Sequence, residues 1–285
     1  MTPSASSAAR PAERTVDISG YPRYRDYLPT YETSSGRYSL RFARTAADLD
    51  EVLRLRFQVF NLELGEGLDD SYRTGRDTDV LDPFFHHLMI MSRETGEIVG
   101  TYRVQTAEMA HDGLGFYSAG EFRLEAIPES VLDASVEIGR ACVASDHRNG
   151  RVLHLLWKGL AAYLSWNRKR FLFGCCSLPT LDPAVARAAH RHLVENDHMH
   201  PSLLVEPQPT AVCGAAPVGE ARVPELPALF LSYLRLGARV CGPPAIDGLF
   251  KTTDFLVMLD CDELDPRVHR TFFPAAVQEG ALPAT

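Results

Sequence analysis

Two hydrophobic periods divide the chain into elements. Tyr38, Leu40 and Phe42 alternate with Ser39 and Arg41, the spacing of a strand with one buried face. Thr45 follows as a helix cap with Asp48 three residues on, and Leu49, Val52, Leu53, Phe57 and Phe60 then recur at helical spacing. Residues 61–84 hold three glycines and no clean period, and predict a long loop. Residues 88–91 and 98–104 predict two strands joined by a hairpin turn at Glu94, Thr95 and Gly96. A strand over 135–143 leads through His147, Arg148, Asn149, Gly150 and Arg151 into a helix with an apolar stripe of Leu153, Leu156, Trp157, Leu160 and Leu164. The continuous apolar run 171–177 predicts a central strand. A helix from Asp182 to Glu195, another over 226–238 and a last strand over 255–259 complete the pattern. The expected fold is a mixed α/β sheet, and the hairpin excludes a purely parallel one.

Ahead of this pattern the first residues are rich in Ala, Ser and Pro, and Tyr21, Tyr24, Tyr27 and Tyr31 follow among Pro22 and Pro29. We expect a disordered or loosely packed tail over 1–36 and one domain over 37–285, with an internal Pro/Ala/Gly-rich loop at 206–224. The tyrosines either pack on the body or dock on a partner or membrane. The 285 residues carry 29 Lys plus Arg against 37 Asp plus Glu, a net charge of -8. An acidic balance argues against binding nucleic acid. No run of about 18 apolar residues is present, so no spanning helix is expected, and the N-terminus lacks the apolar stretch of a secretory signal. The stripe of Leu226, Leu229, Phe230, Tyr233, Leu234 and Leu236 reads as core packing or as a membrane-facing surface. Six cysteines without a CxxC pair, and histidines without a chelating spacing, predict reduced thiols and no metal site.

Three features do not fit a plain core. Arg103 lies inside strand 98–104, and Glu137 and Arg140 lie inside 135–143. Charges within strands are paired or line a cavity, so these form either a structural ion pair or an active-site face. Glu137 and Arg140 are three apart and would face opposite ways in a regular strand. Gly139 between them suggests a bulge that brings both to one side and splays the strand from its neighbour. Second, the Gly150 turn before the long helix presents backbone N–H groups with Arg148 and Arg151, an arrangement suited to a phosphate. Third, loop 63–82 concentrates Glu63, Glu66, Asp69, Asp70, Asp77, Asp79 and Asp82, either a solvated loop or a site for a cation.

Taken in order, FQVFNLELG, Asp79-x-x-Asp82, HLMI, IVGTYRV, FYSAGEF, EIGRACV and LLWKGLAAYL resemble the ornithine–acyl-carrier-protein N-acyltransferases and the hemolysin-like branch of the GNAT superfamily, over roughly residues 40–260. A looser likeness relates Asp79, Asp82, Arg103, Glu137 and Arg140 to the charged residues of acyl-homoserine-lactone synthases. The resemblance implies a GNAT-like sheet with a splayed central strand pair, here 135–143 and 171–177. It implies transfer of a long (3-hydroxy)acyl chain from acyl-carrier protein to the α-amine of ornithine, giving lyso-ornithine lipid. No bound cofactor is implied; the donor arrives on 4′-phosphopantetheine, a single phosphate that suits the degenerate turn at 147–152. In this reading Glu137 is the base, Arg140 and Arg103 either orient it or bind the substrate carboxylate by bidentate contact, and Asp79, Asp82 and Glu121 bind the acceptor. Arg148, Gly150 and Arg151 hold the donor phosphate, Arg168, Lys169 and Arg170 extend the basic patch for the carrier protein, and backbone N–H groups at Cys142 and Val143 meet the oxyanion. The implied location is cytoplasmic, with peripheral contact at the inner membrane face as a further expectation. Another amine acceptor, or a non-catalytic carrier-binding module, are the alternatives.

Overall fold

The computed structural model describes residues 16–214 and 221–273. Nine strands form one sheet: β1 (Thr33–Ser35), β2 (Tyr38–Phe42), β3 (His86–Ser92), β4 (Ile98–Thr106), β5 (Ser135–Val143), β6 (Phe171–Leu178), β7 (Arg239–Val240), β8 (Ala245–Asp247) and β9 (Thr252–Asp260). Their order is β1-β2-β3-β4-β5-β6-β9-β7, with β8 also paired to β9. Every pair is antiparallel except β5 with β6. The helical segments are α1 (Ala46–Arg56), α2 (Ser71–Thr74), α3 (Ala107–Asp112), α4 (Glu129–Asp133), α5 (Gly150–Asn167), α6 (Pro183–Glu195), α7 (Ala228–Arg235) and α8 (Pro266–Phe272).

The sequence signals act where they stand. Thr45 and Asp48 form a reciprocal capping box on α1, and Asp182 caps α6. The apolar stripe of α5 packs on the sheet so closely that a Cβ on Gly159 would meet Leu88 at 1.9 Å. The main core lies on this face, between α5, α7 and the strands, and takes in Leu226, Phe230, Tyr233 and Leu234. The 226–238 stripe is thus core packing, and its helix is shorter than expected. The other face carries a second apolar cluster around Phe122, Phe173 and Leu256.

One boundary moves. Residues 1–15 lie outside the described residues, but 16–36 are not a loose tail: Tyr21 and Leu28 are buried and β1 extends the sheet. The tyrosine Oη of Tyr21 accepts from the His87 backbone, so the domain begins well before Arg37. The expected loop at 206–224 is irregular where described, pinned by single bridges Phe122↔Pro207 and Val212↔Ala245; residues 215–220 lie outside the described residues.

Candidate active site

The site is built by the separation of β5 from β6. The two strands pair in parallel only through Ser135↔Phe171, Val136↔Leu172 and Glu137↔Phe173. At the next position the carbonyl of Ile138 leans over Gly174, where a Cβ would approach it to 2.1 Å, so only glycine admits the divergence. On the other side of β5 the register with β4 shifts: Arg103 pairs with Gly139 and Thr101 with Cys142, so Tyr102 faces both Arg140 and Ala141. The bulge is therefore one residue beyond Gly139, which pairs regularly. The extra residue is accommodated by Arg140 itself, at φ 48°, in the left-handed region that costs a non-glycine residue about 1–3 kcal/mol. The consequence matches the expectation all the same, because Arg140 turns to the face that carries Arg103 and Glu137.

On that face six charges, four buried and Asp79 and Arg140 partly so, close into a ring. Arg56 meets Asp77 at 2.7 Å and Asp82 at 2.6 Å. Arg103 meets Asp82 at 3.1 Å and Asp79 at 2.6 Å. Arg140 meets Asp79 at 3.2 Å and Asp77 at 3.6 Å. Each arginine thus stands between two aspartates and each aspartate between two arginines. The guanidinium groups hold Asp77 and Asp79 below the usual carboxylate range against the opposing cost of burial. The structure places Asp79 and Asp82, expected at the acceptor, within this ring: Asp82 is fully buried and both oxygens are engaged by Arg56, Arg103 and the Asp79 amide. Their work is to hold Arg103 and Arg140. Arg56 had no place in the sequence reading; its position on the otherwise buried face of α1 was the available signal.

Glu137, expected as the base, is engaged within the protein as well. Its carboxylate accepts from Gln105 Nε2 at 2.7 Å and from the backbone N–H groups of Tyr117 and Ser118 at 3.0 and 2.7 Å. It lies beneath the 117–120 turn and does not line the cavity. That is an anchor for the turn. The ring of Tyr117 in turn packs against the guanidinium groups of both Arg103 and Arg140.

The divergence of β5 and β6 opens a cavity of about 770 Å³ that crosses the sheet. One arm runs among Leu156, Leu172, Leu229, Phe230, Tyr233 and Leu259 on the α5–α7 face and is apolar. The other opens on the opposite face among Arg140, Tyr117, Glu66, Asp247, Phe250 and Asp254. Arg148, Asn149 and Gly150 stand at its rim, at the start of α5. Asn149 Oδ1 already accepts from the Arg151 and Val152 amides. Arg151 points away, against Gly36, so the phosphate set reduces to Arg148 and Gly150. Lys169 and Arg170 are paired with Glu108 and Asp260. They follow the C-terminus of α5, 18 residues from the rim, about 27 Å along a helix. They therefore do not extend the patch.

Of the two backbone groups expected to meet an oxyanion, alternation separates them. The Ala144 amide donates to Val99 in β4. Amides two apart point the same way, so Cys142 N–H also faces β4 while Val143 N–H faces the gap.

Glu121, the remaining expected residue, belongs to a different kind of charge cluster. Its carboxylate, that of Asp254 and the Cys175 thiol lie within 4.8 Å of one another. Burial, with Asp254 alongside, pushes Glu121 far above the carboxylate range. Burial likewise raises Asp254 and Glu66. Burial also raises the Cys175 thiol well above its ordinary value, so the thiolate that a metal ion would require is disfavoured. Among the described residues no other group of His, Cys, Asp and Glu is close enough to hold a metal ion. His86 and His87 are buried behind the ring, against Tyr163 and Asp82, and do not reach the cavity. No helix among the described residues is long and apolar enough to cross a membrane.

The comparisons with known proteins agree with this architecture. Residues 55–158 match the acetyltransferase (GNAT) domain model. That span runs from the end of α1, through the ring arginines, to the middle of α5. Among solved structures, the acyl-homoserine-lactone synthase LasI is similar at a TM-score of 0.45 and 13% identity, covering 88% of this chain and all of that one. The L-ornithine N(alpha)-acyltransferase of Rhodobacter capsulatus is 29% identical over 251 residues, 85% of this chain and 96% of that protein. That of Rhizobium meliloti is 31% identical over 240 residues, 80% of this chain and 81% of that protein. With the GNAT domain and relatives of this identity and coverage, the chain belongs to the L-ornithine N(alpha)-acyltransferase family, acyltransferase enzymes on the GNAT fold.

Proposed function

We propose that this enzyme moves a long (3-hydroxy)acyl chain from the 4′-phosphopantetheine of acyl-carrier protein to the α-amine of ornithine, giving lyso-ornithine lipid. The observation that carries this is the two-armed cavity. A pantetheine thioester entering between β5 and β6 passes Arg148 and Gly150 at the rim, where its single phosphate finds a guanidinium and the start of a helix. Its carbonyl then lies along the bulge at 140–143, with the Val143 amide facing the gap as an oxyanion donor. The acyl chain continues into the apolar arm toward α7, where each buried methylene contributes about 0.8 kcal/mol.

The acceptor side is acidic. Arg103 and Arg140 are neutralised, with Arg56, by three aspartates. Glu66, Asp247 and Asp254 line the other arm as surplus acids, with Glu121, pushed toward the protonated form, beside Asp254. Ornithine carries two ammonium groups and one carboxylate, and so a net positive charge that answers this surplus; the names of the relatives point to the same acceptor. The cavity-facing edge of the Arg140 guanidinium, stacked on Phe250 at 3.6 Å, is placed for the carboxylate.

Purified protein incubated with 3-hydroxyacyl carrier protein, or with the matching acyl-CoA, and each of a panel of amino acids tests this by mass spectrometry. N-acylornithine from the carrier-protein donor is expected, with norvaline, which lacks the side-chain ammonium, a poor acceptor. Equal use of neutral amino acids would overturn the acceptor, and preference for acyl-CoA would overturn the donor.

A further inference from the structure

We propose that Asp254, with Glu121 beside it, is the base that takes the proton from the acceptor's amine, the place left vacant by Glu137. This rests on the acyl-transfer reading above but not on which amine is the acceptor. Three observations converge on it. Asp254 lines the acidic arm and is 3% exposed, yet its Oδ1 has no hydrogen-bond partner. A buried carboxylate oxygen without a donor is costly unless a ligand supplies one. Its position is also right. Asp254 lies across from Ser177 on β6 and within 4.8 Å of the Cys175 thiol, and Cys175 follows Gly174, where β5 and β6 part and the thioester must sit.

The environment suits proton transfer. The titratable groups facing Asp254 are Glu121 and Tyr117 from the 117–121 turn, Cys175 and Cys176 on β6, Asp247 on β8 and Glu66 from the 63–70 loop. Ser177 and Thr252 are hydroxyl neighbours. Burial and the neighbouring charge of Asp247 oppose ionisation of Asp254 and outweigh the hydrogen bonds from Ser177, Thr252 and Glu121 that favour it, so its basicity is raised, as a general base requires. Two adjacent buried carboxyls hold one proton between them most readily, leaving one charge to meet one ammonium.

In the step, the ammonium gives a proton to Asp254 Oδ1, and the nitrogen lone pair forms the C–N bond to the thioester carbonyl. The carbon–sulfur bond breaks as the tetrahedral intermediate collapses. A second proton leaves nitrogen for the thiolate, giving the free thiol, and the proton on Asp254 returns to water through the cavity mouth.

The test is the pH dependence of turnover in Asp254→Asn, with whichever amine the panel identifies as acceptor. At pH 7 turnover should fall about 10²-fold or more. The residual rate should climb roughly tenfold per pH unit toward the pKa of the free amine, because only amine already deprotonated in water can react. A folded variant within tenfold of the wild type, or one reduced equally at every pH, would overturn the assignment. Glu121→Ala supplies the second arm and also stands in if Asp254→Asn does not fold. The protonated Glu121 carboxyl donates to Asp254 and favours its ionised form, so removing it should move the acidic limb of the profile to higher pH, and an unmoved limb would overturn the pairing. A wild type that acylates some amine other than ornithine refutes the acceptor and leaves this test intact. A wild type that acylates none refutes both.

Discussion

Two buried charge clusters stand a few residues apart on the same face of the sheet and differ in one respect. The ring of Arg56, Arg103 and Arg140 with Asp77, Asp79 and Asp82 is balanced, three against three, and the guanidinium groups hold Asp77 and Asp79 below the usual carboxylate range. The Glu121–Asp254 pair is pushed toward the protonated form by burial and by the acids around it. Balanced burial makes a scaffold, because any single loss leaves an opposite charge stranded. Unbalanced burial stores a proton-binding site at a cost in stability, which a cationic ligand repays.

The largest effect should come from breaking the balance. Arg56→Met leaves three aspartates to two arginines, taking one partner each from Asp77 and Asp82, and should cost about 3–5 kcal/mol in denaturant unfolding, a large part of the roughly 5–15 kcal/mol of a typical domain. Combining it with Asp77→Asn should restore part of the loss, and strict additivity of the two would show that they do not interact.

Next is the anchor. Glu137→Gln turns one of its charged acceptor oxygens into an NH₂ donor facing backbone donors. Stability should fall by about 1.5–3 kcal/mol, in the range of hydrogen bonds to a charged group. Turnover should drop far less than in Asp254→Asn, with the pH profile of the wild type. Loss of the acidic limb in Glu137→Gln would reverse the two roles.

Acid should then unsettle the ring from behind. Burial pushes His87 down to about 4 and His86 to about 3. In the unfolded chain both take up a proton below about 6.5. The unfolded state binds more protons in that window, so stability is lost as pH falls from about 6.5 through 4 toward 3. Chemical denaturation between pH 7 and 4 measures this, and Tyr or Phe at His86 would reduce the slope.

The smallest effect has the opposite sign. Asp254 is an acid whose folded pKa is raised, so its ionised form opposes folding above its unfolded value and ceases to do so below it. Asp254→Asn should therefore raise the melting midpoint at pH 7, by about 2–4 °C if the relief is near 1 kcal/mol, and the gain should shrink toward pH 4. A lower midpoint at neutral pH would mean that Asp254 has a cationic partner and belongs with the ring.

The order of elements, the capping of α1 by Thr45 and Asp48, and the burial of the α5 stripe were legible in the sequence, because they depend on residues within a few positions of one another. So was the fact that charges inside β4 and β5 need partners. Which partners they find was not legible: Arg56 carried no signal beyond its place on the buried face of α1, and Asp77 read as one acid among several in the 63–82 loop. The family resemblance named Glu137 as a base, and only the folded 117–120 turn, whose amides reach down to that carboxylate, shows it to be engaged. Asp254 was hidden in a strand read as starting at Phe255, since a buried carboxylate oxygen left without a donor has no local signature. Periodicity and caps are properties of neighbours along the chain and determine the elements. Charge balance, and hence whether a buried acid is scaffold or base, depends on residues up to about 130 positions apart, such as Glu121 and Asp254, and is decided only when the sheet brings them together.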